Sequence, residues 1–218
     1  MKNTFIALTI VATLTTAACT NLERSRSLGN PAVSGRVLAE QVCSNCHGRT
    51  GVSISPNFPN LAAQTEPYLV GQLTEFRGHS RSDPAGFEYM WGLSRHLTDE
   101  QIASLAAYYA AQNPKAPPVR AHAQWANAGQ KIFSEGIADQ GIPPCMSCHG
   151  PQGQGNATFP RLASQHSDYL IKQLMVFQRT DERPEGSIMK TVAHGLTEQN
   201  MRDVAEYLQT LETPLEAH

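Results

Sequence analysis

The sequence predicts an all-α protein made of two homologous halves. The first observation is an internal repeat, in which FPNLAAQTEPYLVGQLTEF (58–76) aligns with FPRLASQHSDYLIKQLMVF (159–177). A second pair of segments, MWGLSRHLTDEQIASLAAYY (90–109) and MKTVAHGLTEQNMRDVAEYL (189–208), also aligns. A repeat of this kind indicates one structural unit written twice. The second observation is that apolar residues in these segments recur with helical spacing, and no alternating strand pattern of useful length is present.

The first 19 residues predict a secretory signal peptide. A lysine at position 2 is followed by a short apolar stretch diluted with threonine, which is too short and too polar for a spanning helix. Cys19 follows two alanines, as in a bacterial lipoprotein cleavage site, although Thr16 stands where leucine or valine is usual. We expect a lipid on Cys19; ordinary cleavage nearby, without a lipid, is the alternative.

The remaining chain divides by composition. Polar residues 20–32 predict a flexible tether, and the prolines of NPKAPPVRAHA predict a semi-stiff connector between the halves. The predicted organisation is a tether at 20–32, a first domain at 33–113, a linker at 114–123, a second domain at 124–212 and a tail at 213–218.

The last helix of each half has the clearest boundaries. Thr98 is a predicted N-cap with Gln101 three residues later, which completes a capping box. Thr197 caps the equivalent helix, but Asn200 occupies the third position, so a weaker box is expected. In both helices an apolar stripe follows at i, i+3, i+4 and i+7. A middle helix is predicted in each repeat segment, and a short helix before each Cys motif is predicted to start near Gly35 and Gly129.

A hexapeptide with two cysteines and a histidine occurs in each half, as CSNCHG at 43–48 and CMSCHG at 145–150. C-x-x-C-H is the attachment signature of c-type haem. The thiols would bond the two vinyl groups of one porphyrin, and the adjacent histidine would bind the iron as proximal ligand. The predicted links are Cys43, Cys46, Cys145 and Cys148, and the predicted proximal ligands are His47 and His149. A domain of about 80–90 residues buries only a modest core, which a large apolar haem would supplement.

A CxxC pair also occurs in redox dithiols and in zinc sites. A redox dithiol or half of a zinc site needs no histidine at the next position, whereas here histidine and glycine follow both pairs. A single four-cysteine zinc site would not explain the duplicated flanking segments. Only Cys19 lies outside the two motifs, so no cysteines remain for a disulfide framework.

Methionine is the favoured sixth ligand of each iron. Met90 and Met189 alone among the methionines coincide in the repeat, each eight residues before a capping threonine, in what the sequence predicts to be a mobile loop. Met146 is interpreted as filler, and Met175 and Met201 as core residues. Histidine is the rival ligand, but the candidates occupy no matching positions: His79, His96, His166 and His194.

A proline follows each proximal histidine at nearly the same distance. Pro59 lies twelve residues after His47, and Pro160 eleven after His149. Either carbonyl could accept a hydrogen bond from the imidazole and fix its tautomer. A turn proline with no such role is the alternative.

With these motifs, residues 33–212 resemble class I cytochromes c, specifically the two-domain dihaem cytochromes of the c4 type. The resemblance implies a class I cytochrome c domain around one covalently attached haem in each half. It also implies Cys43, Cys46, Cys145 and Cys148 as thioether links, His47 and His149 as proximal ligands, Met90 and Met189 as distal ligands, and the Pro59 and Pro160 carbonyls as acceptors for the histidines. The GIADQGIPP insertion before Cys145 departs from the first half, and it is expected to alter an edge of the second haem or a partner surface.

The function that the resemblance implies is periplasmic electron transfer. The expected donor is a quinol-oxidising complex and the expected acceptor a terminal oxidase or reductase, with membrane attachment through the lipid on Cys19. The net charge of −2, without a basic run, gives no indication of nucleic-acid binding. The alternatives are a haem enzyme, such as a dihaem peroxidase or a sulfur-compound oxidase, and the cytochrome subunit of a dehydrogenase complex. An enzyme needs an iron open to substrate, so paired methionine ligands favour the carrier.

Overall fold

The computed structural model describes residues 21–114 and 123–211. The predicted signal peptide with Cys19, most of the predicted linker and the predicted tail lie outside the described residues. None of the helices in the described ranges is both long and apolar enough to cross a membrane.

The described chain is helical in both halves. Within residues 21–114 and 123–211 there is no strand. Only two isolated bridges occur there, one joining residues 137 and 142 and the other joining residues 156 and 159. Two π-helical turns, Ala39–Cys43 and Gly86–Met90, lie in the first half. The α-helices are α1 (Gly35–Leu38), α2 (Ser44–His47), α3 (Glu66–Arg77), α4 (Trp91–Ser94), α5 (Asp99–Ala110), α6 (Ala123–Glu135), α7 (Met146–His149), α8 (Ser167–Arg179), α9 (Ser187–His194) and α10 (Glu198–Thr210).

The first and last helices of each domain cross at a glycine. A Cβ on Gly35 would lie 2.4 Å from the Leu105 nitrogen, and one on Gly129 would lie 2.0 Å from the Asp203 oxygen. Neither crossing has room for a side chain, so each glycine sets how closely the helices approach. Gly35 begins its helix as expected, whereas Gly129 lies in the middle of α6, which begins six residues earlier than the sequence indicates. The expectation for Gly129 was wrong.

Both last helices begin with a complete capping box. The Thr98 hydroxyl accepts from the Gln101 N–H at 3.2 Å, and the Thr197 hydroxyl from the Asn200 N–H at 3.1 Å. The side chain of Asn200 also reaches back to the Thr197 N–H, at 3.0 Å. The shorter amide therefore closes the second box as the longer one closes the first.

The predicted methionine loops are helical, which corrects the expectation of a loop able to swing. Met90 ends the π-helical turn Gly86–Met90 and leads directly into α4. Met189 is the third residue of α9. Because a helix satisfies the backbone within the segment, both methionines are held by hydrogen-bonded structure.

The predicted tether is partly docked on the first domain. Leu28 packs against the core of that domain, and the Gly29 N–H donates to the Gln101 side chain at 3.2 Å. Gln101 in turn donates to the Asn30 carbonyl at 2.8 Å. Contact with the first domain therefore begins several residues before the expected boundary at 33.

The two domains meet through reciprocal hydrogen bonds. Gln64 accepts from the Arg161 N–H at 2.6 Å and donates to the Arg161 carbonyl at 3.1 Å. Gln165 accepts from the Asn60 N–H at 2.8 Å and donates to the Asn60 carbonyl at 2.9 Å. Since these four positions correspond pairwise in the repeat, the pattern is that of a pseudo-two-fold axis between the domains.

A buried polar cluster repeats this symmetry. The Arg81 guanidinium contacts Gln72 in its own domain and donates to Gln173 of the other at 3.1 Å. The Arg183 guanidinium donates to Gln173 at 2.7 Å and across the interface to Gln72 at 2.9 Å. Each arginine also forms an ion pair with the carboxylate two residues later in the chain; the Arg81 Nε atom lies 2.8 Å from Asp83 Oδ1. The charges of the two buried guanidinium groups are therefore compensated by carboxylates and by amide hydrogen bonds.

Candidate functional site

The two Cys motifs adopt the same local structure. α2 ends at His47 and α7 at His149, and the next residue in each case is a glycine with positive φ, 75° at Gly48 and 82° at Gly150. A Cβ on Gly48 would lie 2.2 Å from the Val52 carbonyl oxygen. The repeated glycine thus allows the chain to turn sharply behind the histidine.

Both predicted proximal histidines are buried and hydrogen-bonded to the predicted prolines. The Nδ1 atom of His47 lies 2.9 Å from the Pro59 carbonyl oxygen, and that of His149 lies 2.8 Å from the Pro160 oxygen. A carbonyl can only accept, so Nδ1 carries the proton and Nε2 keeps its lone pair for a metal. Burial lowers the pKa of both imidazoles, partly offset by these carbonyls, which favours the neutral form that binds iron.

An aromatic ring before each proline lies against the histidine. Phe58 and Phe159 each approach an imidazole edge-on, with ring centroids 6.2 Å apart. The hydrogen bond fixes one side of the imidazole and the phenyl ring restricts its rotation. The repeat thus orients both imidazoles in the same way.

The thiols do not have the properties of a reactive dithiol. Burial raises the pKa of Cys43 and of Cys145 to about 11, whereas redox-active cysteines have lowered values. All four motif cysteines are half-buried and none of them forms a disulfide within the described residues. Among residues 21–114 and 123–211, no three side chains of His, Cys, Asp or Glu are grouped to hold a metal ion, so the two pairs do not converge on one zinc.

The predicted distal methionines lie in equivalent segments and are half-buried. Met189 packs against a cluster that includes Ile142, which the GIADQGIPP insertion contributes, and the fully buried Met201. The insertion therefore reaches the surroundings of one predicted ligand. Met201 lies in the core, as interpreted from the sequence.

The rival histidines have other surroundings. His79 lies against Trp91, with ring centroids 4.9 Å apart and the rings tilted. The Nε2 atom of His166 lies 3.0 Å from the Ser53 carbonyl oxygen of the other domain. His96 and His194 are exposed. These contacts accord with surface or hydrogen-bonding roles.

Sequence reasoning did not identify the buried residues that join the domains. Gln64 and Gln165 recur at equivalent places in the repeat and are each only 5% exposed. A glutamine retained in a buried position of both copies is the signal that could have indicated a shared polar contact. Arg81 and Arg183 gave no such signal, because an extra residue in the second copy displaces their alignment.

The residues present fit a covalent haem in each domain. Two half-buried thiols precede a buried imidazole whose Nε2 is available, in the same arrangement twice. One buried guanidinium, that of Arg161 next to Pro160, has Nε and Nη2 atoms without a hydrogen-bond partner among the described residues. Such a group is suited to the carboxylates that a haem carries.

Comparison with known proteins agrees with this arrangement. The family model for cytochrome c matches residues 32–111 and 126–212. Cytochrome c-552 of Acidithiobacillus ferridurans is 36% identical over 190 residues, 87% of this chain and 82% of its own. Cytochrome c4 of Azotobacter vinelandii is 36% identical over 179 residues, 78% of this chain and 84% of its own.

Two further matches bear on function and fold. A thiosulfate dehydrogenase electron acceptor of Stutzerimonas stutzeri is 31% identical over 173 residues, 78% of each chain. The solved structure of cytochrome c4 from Acidithiobacillus ferrooxidans superposes with a TM-score of 0.72 at 40% identity, and it covers 78% of this chain and 98% of its own. This chain therefore belongs to the cytochrome c family, as a dihaem electron-transfer cytochrome of the two-domain c4 type with one covalently bound haem c in each domain.

Proposed function

We propose that this chain carries single electrons in a periplasmic respiratory chain, from a quinol-oxidising donor towards a terminal oxidase. The observation that carries the proposal is the duplicated histidine site, in which Pro59 and Pro160 orient two equivalent imidazoles. Each haem, when bound, supplies an iron that changes between the ferric and ferrous states. The protein supplies orientation, a low dielectric and a fixed separation between the domains.

The proposed axial ligands are His47 and Met90 in the first domain and His149 and Met189 in the second. Support comes from the equivalence of the methionines in the repeat and from the helical segments that hold them. Cys43, Cys46, Cys145 and Cys148 are the proposed thioether links. A haem iron that bound both a histidine and a methionine would have no position left for a substrate, so the proposed role is electron transfer without bond-making.

Ligand-binding spectroscopy tests this proposal. Oxidised protein is expected to show the weak far-red charge-transfer band of methionine-bound ferric haem, and reduced protein is expected to bind carbon monoxide poorly at neutral pH. Stoichiometric uptake of carbon monoxide by one reduced haem would show an open iron and would favour a peroxidase or a sulfur-compound oxidase.

A second candidate is the electron-accepting partner of a dehydrogenase. The relative from Stutzerimonas stutzeri, a thiosulfate dehydrogenase electron acceptor, favours it. The two proposals differ in the donor, so stopped-flow reduction of the oxidised protein by a quinol-oxidising complex and by a thiosulfate dehydrogenase distinguishes them.

The proposed location is the periplasm, with a signal peptide at 1–19, a lipid on Cys19, and domains at 33–113 and 124–212 joined by a linker at 114–123. The support is the sequence pattern described above. Mass spectrometry of the mature N-terminus decides the lipid.

A further inference from the structure

Arg161 is a buried cation that has no charged partner among the residues that the structure describes. Its residue is only 7% exposed, and its Nε and Nη2 atoms have no hydrogen-bond partner in the described part of the chain. No carboxylate of the described residues forms an ion pair with it. Burial alone lowers the pKa of this guanidinium to about 10. A desolvated cation without a partner is strongly unfavourable, so the mature protein should provide an anion.

The backbone of Arg161 is fixed at the second haem site. The preceding residue, Pro160, accepts the hydrogen bond from His149, and the Arg161 N–H and carbonyl are both held by Gln64 of the other domain. The side chain therefore starts one residue from the contact that orients the proximal imidazole. Its location is set by two independent constraints, one from each domain.

The first domain has no equivalent charge. The corresponding residue is Asn60, whose side chain already accepts from the Ser53 N–H at 2.8 Å and donates to the Ser164 carbonyl at 2.7 Å. The two sites are alike in their cysteines, histidines and prolines and differ here by one positive charge. This difference breaks the pseudo-two-fold symmetry next to one of the two haems.

We propose that the Arg161 guanidinium binds a propionate carboxylate of the haem in the second domain and thereby raises the reduction potential of that haem above the value it would otherwise have. A guanidinium forms strong, paired hydrogen bonds with a carboxylate. A fixed positive charge beside the haem disfavours the ferric state, which carries one more positive charge than the ferrous state. The inference depends on the second haem but not on the identity of the electron donor or acceptor.

The test is the reduction potential of each haem in Arg161→Gln. Haem methyl signals in paramagnetic NMR, assigned through contacts within each domain, report the two potentials separately. We expect the equilibrium constant for reduction of the second haem to fall about tenfold, which is about 59 mV for one electron, with the first haem changed less than twofold. The matched control is Arg179→Gln, which removes an exposed arginine paired with Glu198 in the same domain; it is expected to change neither haem more than twofold.

Two further measurements separate this role from a purely structural one. Arg161→Lys keeps the charge, so its second-haem potential is expected to lie between those of Arg161→Gln and the wild type. If the Gln variant loses a haem, wild-type protein labelled with ¹⁵N-arginine answers the question instead, since a paired Arg161 should show a slowly exchanging Nε–H. A change below twofold at the second haem, a lysine variant equal to the glutamine variant, an equal or larger shift at the first haem, or a rapidly exchanging Nε–H would each overturn the proposal.

Discussion

The interdomain glutamines allow the strength of domain docking to be measured. Replacing Gln64 with alanine leaves the N–H and the carbonyl of Arg161 without partners, and replacing Gln165 does the same to Asn60. Each buried backbone group left unpaired costs about 1–3 kcal/mol, so each variant should lose about 2–6 kcal/mol of interdomain stability. Because the two contacts are equivalent, the two losses should be similar.

Guanidinium unfolding, followed by haem circular dichroism, measures this loss, and small-angle scattering shows whether the domains separate. The matched control is Gln112→Ala, which removes a hydrogen bond to the Tyr108 carbonyl within one domain and should change stability by no more than about 0.5 kcal/mol. If both interface variants stay within about 0.5 kcal/mol of the wild type with an unchanged radius of gyration, the reasoning fails. A difference of more than about 2 kcal/mol between the two variants would contradict their equivalence.

Four further predictions concern the haems, the buried ion pair and the N-terminus. Cys148→Ala should weaken covalent attachment only in the second domain; intact-mass analysis of the matured chain should show two haems in the wild type, and fewer than two there would refute the assignment. Met90→His should lower the potential of the first haem and leave the second near its original value, because a thioether favours ferrous iron more than imidazole does; a redox titration that shows no shift would exclude Met90 as ligand. Burial raises the pKa of Asp83, but the charge of Arg81 outweighs this effect and holds the pKa below the usual value for an aspartate. This carboxylate therefore stabilises the fold above about pH 4, and the stabilisation is lost as the pH falls through the lower folded pKa. Asp83→Asn should cost about 3–5 kcal/mol at neutral pH and should flatten the loss of stability in acid, both measured by unfolding across pH. Finally, mass spectrometry should find a lipid on Cys19, and an unmodified N-terminus at another residue would refute it.

The sequence was sufficient for features that depend on local spacing. The threonine caps at 98 and 197 and the proline acceptors at 59 and 160 each follow from short-range patterns that occur twice. The prediction for the two methionine segments was wrong, because a loop was expected where a π-helical turn and a helix occur. Gly86 lies in the π-helical turn, where a Cβ would lie 2.6 Å from the Arg81 carbonyl oxygen. A glycine that is needed because the backbone passes this close cannot be distinguished, from the sequence alone, from a glycine in a loop.

Features that depend on distant partners were not predictable. Arg161 and Gln64 are 97 residues apart, and nothing in either segment indicates that the backbone of one would be paired by the amide of the other. The same holds for the buried Arg81 and Arg183, each of which has a glutamine partner in the opposite domain. A buried polar residue has a recognisable cost, but its partner is defined only by the tertiary structure.

The reciprocal glutamine contacts have a consequence for how such a chain can diverge. The first domain contains both kinds of group that pair across the interface, because the Gln64 side chain and the Asn60 backbone lie in the same domain. A free copy of the first domain therefore presents a self-complementary patch, and two identical copies could join through the same four hydrogen bonds about a true two-fold axis. In such a homodimer every side-chain change would be made twice. Covalent linkage removes that constraint, so that an asparagine can remain at 60 while an arginine stands at 161, and two haems in nearly identical frames can differ in charge environment.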